Sequence, residues 1–115
     1  MKTVISLVLV VFTAFRSSEA SVQPEIAALV VPNSKIGSEA TLFCSLASGT
    51  KPVQFSWIKD GHKVPSKLIT NQPTSSTLVI PVVKSDDRGR YTCFVKSSFG
   101  EDSKSSDLVI SGQLF

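Results

Sequence analysis

The 115-residue chain is long enough for one small domain and leaves no room for a second. Its formal net charge at pH 7 is only +3, and its basic residues are scattered instead of striped, which excludes the electrostatic footprint of a nucleic-acid binder. Two cysteines and a single histidine are too few ligands for a structural zinc site.

The first element is not part of the domain. Lys2 supplies a short positive start, and "VISLVLVVFTAF" (Val4 to Phe15) follows as an apolar run of twelve residues. A membrane-spanning helix needs about 20. "SSEA" closes the run, with Ser18 and Ala20 at the small positions a signal peptidase requires. Residues 1–20 are therefore expected to be a signal peptide cut after Ala20, and residues 21–115 the exported domain. Cleavage removes Lys2, Arg16 and Glu19 and lowers the net charge from +3 to +2. No later segment approaches the length of a membrane span, and no hydrophobic tail of lipid-anchor type follows. The expected location is secreted or extracellular, at the cell surface if the chain is a fragment of a longer receptor. Cys44 and Cys93 both lie in the exported part, and an even count in a secreted chain predicts one disulfide.

After residue 20 the pattern has period two throughout, with no apolar stripe long enough for a helix. In "EIAALVV" a strand runs up to a break at Pro32 and Asn33, and "SKIG" resumes it. "ATLFCSL" places Ala40, Leu42, Cys44 and Leu46 on one face. "VQFSW" does the same for Val53, Phe55 and Trp57, and "TLVI" for Leu78 and Ile80. "YTCFV" aligns Tyr91, Cys93 and Val95, and "SSDLVI" aligns Leu108 and Ile110. Turn signals at Gly37, Gly49 to Pro52, Gly61, Pro73 and Gly100 separate these runs. Short strands at this spacing, each with one buried face, predict an all-β antiparallel sandwich or barrel.

Within this pattern, Trp57 stands thirteen residues after Cys44, and Tyr91 stands two before Cys93. "LVIPVVKSDDRGRYTC" places Leu78, Ile80, Val83, Asp87, Gly89, Tyr91 and Cys93 in the order L-x-I-x-x-V-x-x-x-D-x-G-x-Y-x-C. Together these residues resemble the immunoglobulin fold over nearly the whole exported chain. The resemblance implies a two-sheet Greek-key sandwich with Cys44 on strand B bridged to Cys93 on strand F. It also implies that Trp57 on strand C packs on the bridge, and that Tyr91 closes the corner between strands E and F. Leu78 belongs to the core, Gly89 frees the chain at the turn, and Asp87 accepts local backbone bonds. In this fold Asp87 also pairs with a basic residue at the start of strand D, and Lys67 is the candidate. The short gap from Trp57 to Leu78 leaves space for a C′ or a D segment but not for full C′ and C″ strands, which implies the intermediate I-set type.

Two longer stretches, "GSEATLFCSLASGTKPVQFSWIKDGHKV" and "STLVIPVVKSDDRGRYTCFVKSSFGE", resemble domains of the Down syndrome cell adhesion molecule (Dscam) family, particularly arthropod ones. That family implies a multi-domain membrane receptor that binds copies of itself in a neuronal or immune setting. One domain without a membrane span departs from it. Two functional readings follow. One is cell adhesion or recognition of the Dscam type, with "GQLF" ending where a next domain would begin. The alternative is a free-standing secreted immune recognition factor or soluble decoy binder. Either reading expects as partner another extracellular protein or a copy of this chain.

Catalytic chemistry finds no carrier. Nucleophile elbow, phosphate loop and paired carboxylate motif are missing, and adjacent Asp86 and Asp87 would point to opposite faces of a strand. No enzyme activity, cofactor or metal is expected. Asn33 and Asn71 both lack the third residue of a glycosylation acceptor. Parity instead suggests a partner surface. With Trp57, Tyr91, Cys93, Leu108 and Ile110 inward, Ile58, Phe94 and Val109 face outward on the adjacent strands C, F and G. Phe43 faces outward on the other sheet unless a neighbouring strand covers it. Phe99 sits in the F–G turn, as a loop contact or packed on the domain end.

Overall fold

The computed structural model describes residues 21–111, so the expected signal peptide lies outside the described residues. Strands set by the period-two pattern fill this region. They are β1 (Glu25–Val30), β2 (Ser34–Lys35), β3 (Ala40–Ser48), β4 (Gln54–Lys59), β5 (His62–Lys63), β6 (Ile69–Gln72), β7 (Ser75–Ile80), β8 (Gly89–Ser97), β9 (Gly100–Leu108) and β10 (Ile110–Ser111). Single 3-10 turns at Ser66–Leu68 and Ser85–Asp87 complete the path. One sheet has the order β1-β3-β7-β6 and the other β5-β4-β8-β9; both are antiparallel. The architecture is the all-β, immunoglobulin-like sandwich that the cysteine, tryptophan and tyrosine spacing implied.

The core lies between the sheets and consists of the residues that alternation placed inward. Leu42 and Cys44 come from β3, Trp57 from β4, Leu78 and Ile80 from β7, Tyr91, Cys93 and Val95 from β8, and Leu108 from β9; all are buried. Cys44 and Cys93 are disulfide-bonded across the layers, with Cα atoms 6.5 Å apart. Trp57 is the cross-strand partner of Cys93, which sets the indole beside the bridge.

The first strand changes sheets at its break. β1 pairs antiparallel with β3, whereas β2 pairs parallel with β10. Pro32 lies between them and has no N–H to offer a ladder. Beyond it the Ser34 N–H donates to Val109 O at 2.9 Å. The last strand also breaks. Ser105 to Ile110 reads as one strand in sequence, but β9 begins at Gly100, stops at Leu108, and gives way to β10 where the chain exchanges β8 for β2 as partner. The gap between Trp57 and Leu78 also holds more than expected. Both a two-residue β5 and a four-residue β6 fit there.

The two turns beside β8 interlock. Asp60 and Gly61 have φ of 48° and 85° and form the two-residue hairpin between Lys59 and His62, a geometry that favours Asp-Gly. The Asp60 carboxylate accepts the Arg90 N–H at 2.9 Å, and its own N–H donates to Arg90 O at 3.0 Å. Gly89 (φ 154°) lies beneath this carboxylate, and a Cβ there would sit 2.3 Å from Asp60 Oδ2. Gly89 is therefore needed for close approach as well as for turning.

Tyr91 closes the corner: its hydroxyl donates to Asp87 O at 2.7 Å. The Asp87 carboxylate accepts the Lys84 N–H at 2.8 Å and holds the 3-10 turn. Lys67 is no partner to it; Asp87 is satisfied locally instead. Burial pushes the Tyr91 phenol above its ordinary value near 10, and the charges of Asp87, Asp60 and Asp86 add to the rise. In the unfolded chain it ionises near pH 10. The contribution to stability is thus present in full below about pH 10 and is lost as pH rises above it. Between pH 9 and 12 the wild type is expected to lose unfolding free energy more steeply than Tyr91→Phe, in urea titrations at stepped pH. Parallel slopes would show that the corner hydroxyl is not linked to folding. Tyr91 is the chain's one tyrosine, so phenolate absorbance reads its ionisation directly.

Candidate functional site

β4, β8 and β9 carry a surface on their solvent side, and its composition follows from ladder register. Ser56 lies opposite Phe94, and Phe94 opposite Ser103. In the next row Ile58 lies opposite Thr92, and Thr92 opposite Ser105. Phe94 and Ile58 are therefore diagonal neighbours, and both are half-buried. Small hydroxyl residues surround Phe94 and flank Ile58 on the β8 side, with Lys63 of β5 opposite Ile58 on the other, and Thr92 Oγ1 and Ser105 Oγ share a hydrogen bond of 2.8 Å. Charges flank these rows at both ends. Lys96 faces Glu101 beyond Phe94, and Arg90 faces Asp107 beyond Thr92. The Arg90–Asp107 pair spans 3.3 Å with both side chains more than 60% exposed, so it adds little stability. The face thus has an apolar centre, a hydroxyl ring and a charged rim.

Parity placed the outward residues correctly but not their neighbours. Val109 is exposed as expected, yet it lies six residues past Ser103, beyond the last β8–β9 pair at Gly89 and Leu108. At about 3.4 Å per residue that is roughly 20 Å away, so Val109 does not join Ile58 and Phe94. Phe99 occupies a two-residue loop between Ser97 and Gly100 and is 44% exposed; it is not packed on the domain end. Its N–H donates to Ser97 Oγ at 3.0 Å. Phe43 is exposed on the opposite sheet and is not covered by β1. Arg88 and Arg90 are exposed, and His62 stands at the solvent side of the Asp60–Gly61 turn. Ser103 was missed because the start of β9 was missed: it acquires a face only once β9 is extended back from Ser105 to Gly100.

A buried polar relay also escaped sequence reading. Trp57 Nε1 donates to Ser76 Oγ at 2.9 Å, and Ser76 Oγ donates to Asn71 Oδ1 at 2.5 Å. Ser76 is fully buried on β7, where alternation with Leu78 and Ile80 points inward. The need of a buried indole N–H for an acceptor was the signal that could have found it. Across the open edge, Asp102 on β9 accepts the Ile26 N–H of β1 at 2.8 Å and ties the two sheets together.

A cleft of about 430 Å³ opens beside β5, between Val64, Leu68, Leu78, Ile80 and Tyr91. It is floored by the core's own side chains where two-residue β5 leaves the sandwich edge short. Among the described residues no group of three His, Cys, Asp or Glu could hold a metal ion. No helix among them is long and apolar enough to cross a membrane.

Known proteins agree with this architecture. The immunoglobulin I-set domain family model matches residues 27–110. MAM domain-containing glycosylphosphatidylinositol anchor protein 2 of Mus musculus is 30% identical over 99 residues, covering 84% of this chain and 10% of that protein. Neuroglian of Drosophila melanogaster is 38% identical over 72 residues, 59% of this chain and 6% of its own length. Junctional adhesion molecule A of Homo sapiens is 31% identical over 91 residues, 69% of this chain and 30% of its own. This chain therefore spans 6% to 30% of the length of these relatives. Among solved structures, a titin I-band fragment superposes with TM-score 0.73 at 27% identity, over 79% of this chain and 33% of that one. The N-terminal eight Ig domains of the Down syndrome cell adhesion molecule superpose with TM-score 0.68 at 26% identity, over 78% of this chain and 12% of that one. With 84 consecutive residues matched by the family model and its disulfide, tryptophan and tyrosine corner in place, the chain belongs to the immunoglobulin I-set domain family, alongside domains of cell-adhesion molecules.

Proposed function

We propose that this chain is an extracellular protein–protein recognition domain of the cell-adhesion type, exported by a signal peptide at residues 1–20. It binds another extracellular protein through the outer face of β4, β8 and β9. One observation carries the reading. Phe94 and Ile58 form an apolar centre ringed by Ser56, Thr92, Ser103 and Ser105, with Lys96, Glu101, Arg90 and Asp107 at the margins. This is the anatomy of a specific interface, in which a small desolvated centre carries the energy and a polar rim excludes water. The flanking charges steer a partner of complementary pattern. Adhesion molecules among the relatives support the class of function.

The test is a Phe94→Asp substitution, at a position outside the buried core. Beads carrying the wild-type protein are presented to cells displaying a panel of extracellular immunoglobulin-domain receptors. Wild type is expected to bind at least one member. Phe94→Asp is expected to lose 2 kcal/mol or more of that affinity, or roughly 30-fold, as central interface residues do. Its melting temperature should stay at the wild-type value. Unchanged binding by Phe94→Asp would remove this face from the account.

A further inference from the structure

The other sheet turns a second outer face to solvent, and its chemistry differs from that of the Phe94 face. On β3, Phe43 alternates with buried Leu42 and Cys44, so its ring points outward and stays 39% exposed. The ladders place Val30 on one side of it and Thr77, then Thr70, on the other. The row before holds Ser45, Ser75 and Gln72, and Thr41 stands one row beyond. β3, β6 and β7 contain no Asp, Glu, Lys or Arg, and β1 has only Glu25 at its start. Exposed strand positions ordinarily carry charge, and β9 alone holds Glu101, Asp102, Lys104 and Asp107. A second observation is independent of composition. The side chains of Thr41, Ser45, Thr70, Gln72, Ser75 and Thr77 make no hydrogen bond to any described residue. On the Phe94 face, by contrast, Thr92 and Ser105 bond to each other and Arg90 bonds to Asp107. Five hydroxyls and one amide, each able to donate and to accept, therefore surround an exposed aromatic ring with that capacity left open.

We propose that this face is a binding site for a neutral saccharide. Three properties select that ligand. A pyranose ring has an apolar C–H face, and this stacks on an exposed aromatic ring whose π-cloud is negative. Its hydroxyls both donate and accept, as do those of the protein, so each finds a partner whichever way it turns. It carries no charge, and the face offers none. A sulfate, phosphate or carboxylate would lose hydration there without meeting a cation, and so would the charged side chains of a protein partner. Spacing agrees with composition. Neighbouring strands lie about 4.8 Å apart, close to the length of one pyranose unit, so Phe43, Thr77 and Thr70 address successive sugars of an extended chain. Each hydrogen bond to the ligand replaces one to water and gains little, so a single domain binds weakly. Several copies held on one surface attach more firmly to a repeating glycan. The site is separate from the Phe94 face and leaves that face free for its protein partner.

Saturation-transfer NMR tests the proposal, with the disulfide-bonded protein secreted from cells expressing the full chain. The probes are cellohexaose and chitohexaose, both neutral and extended, and a heparin hexasaccharide as competitor. Irradiation of the protein is expected to saturate the C–H protons of at least one neutral probe, and the heparin hexasaccharide is expected not to displace it. Phe43→Ala is expected to weaken binding of that probe roughly tenfold. Thr77→Val keeps the branched side chain and deletes only the hydroxyl. It should weaken binding roughly fivefold, the worth of one hydrogen bond, and guards against a folding defect in the first variant. Phe94→Asp should bind the probe like wild type, which separates this site from the recognition face already proposed. Saturation of neither neutral probe by wild type would overturn the proposal. So would displacement by the heparin hexasaccharide, or wild-type binding by both Phe43→Ala and Thr77→Val. A panel receptor that binds wild type and is lost in Phe43→Ala, with no sugar bound, would assign the face to a protein instead.

Discussion

Replacing the bridge by Cys44→Ala/Cys93→Ala is expected to lower the unfolding free energy by about 2–5 kcal/mol. Loop length sets the scale. Cys44 and Cys93 are 49 residues apart, so the bond closes more than half of the described chain into one loop. In the chain-entropy view a loop of that size is worth about 4 kcal/mol, because it removes conformations from the unfolded ensemble. A domain of this size has a total of about 5–15 kcal/mol. Both sulfurs are fully buried, so alanines also forfeit core contacts that the bridge now makes. Urea unfolding of oxidised wild type and the double variant measures the difference directly. A fall of under about 1 kcal/mol would mean that the sheets are held together by side-chain packing alone.

Trp57→Ala is the second large effect, expected at about 3–5 kcal/mol. The indole is 2% exposed and fills the space beside the bridge, so its removal leaves a cavity in the centre of the sandwich. Part of the loss is polar. Without the indole N–H, Ser76 Oγ retains only its bond to Asn71 in a site with no access to water. Trp57→Phe narrows the question, because it keeps an aromatic ring in the site while removing the N–H and the ring edge that carries it. A loss of about 1–3 kcal/mol is expected for it, the cost of a buried group left without its partner. Equal losses for alanine and phenylalanine would show that the relay, and not packing, dominates.

What was legible in the sequence was what rare residue types spell out at fixed spacing. Cysteine, tryptophan and tyrosine occur seldom enough that Cys44, Trp57, Tyr91 and Cys93, with Gly89 at its spacing, placed three strands and the corner that leads into the last. Period-two alternation then filled the core, since an inward position on a half-buried strand must be apolar. Illegible features were those defined by a partner and not by the local chain. β6 reads "ITNQ", polar after its first residue, and becomes a strand only because β7 offers it a ladder. Serine carries no core signal of its own, and only the buried indole beside it makes Ser76 a core residue. Val109 had the right parity and the wrong neighbours, because register is fixed by the two-residue Ser98–Phe99 loop at the far end of the β8–β9 hairpin.

The central claim is that recognition occurs on a sheet face and not on the loops. NMR cross-saturation measures this most directly, with the deuterated domain observed while a bound receptor from the cell-surface panel is irradiated. The account predicts intensity loss centred on Ser56, Ile58, Thr92, Phe94 and Ser103. Loss confined to the loop tips, around Phe99 and Thr50, would contradict it.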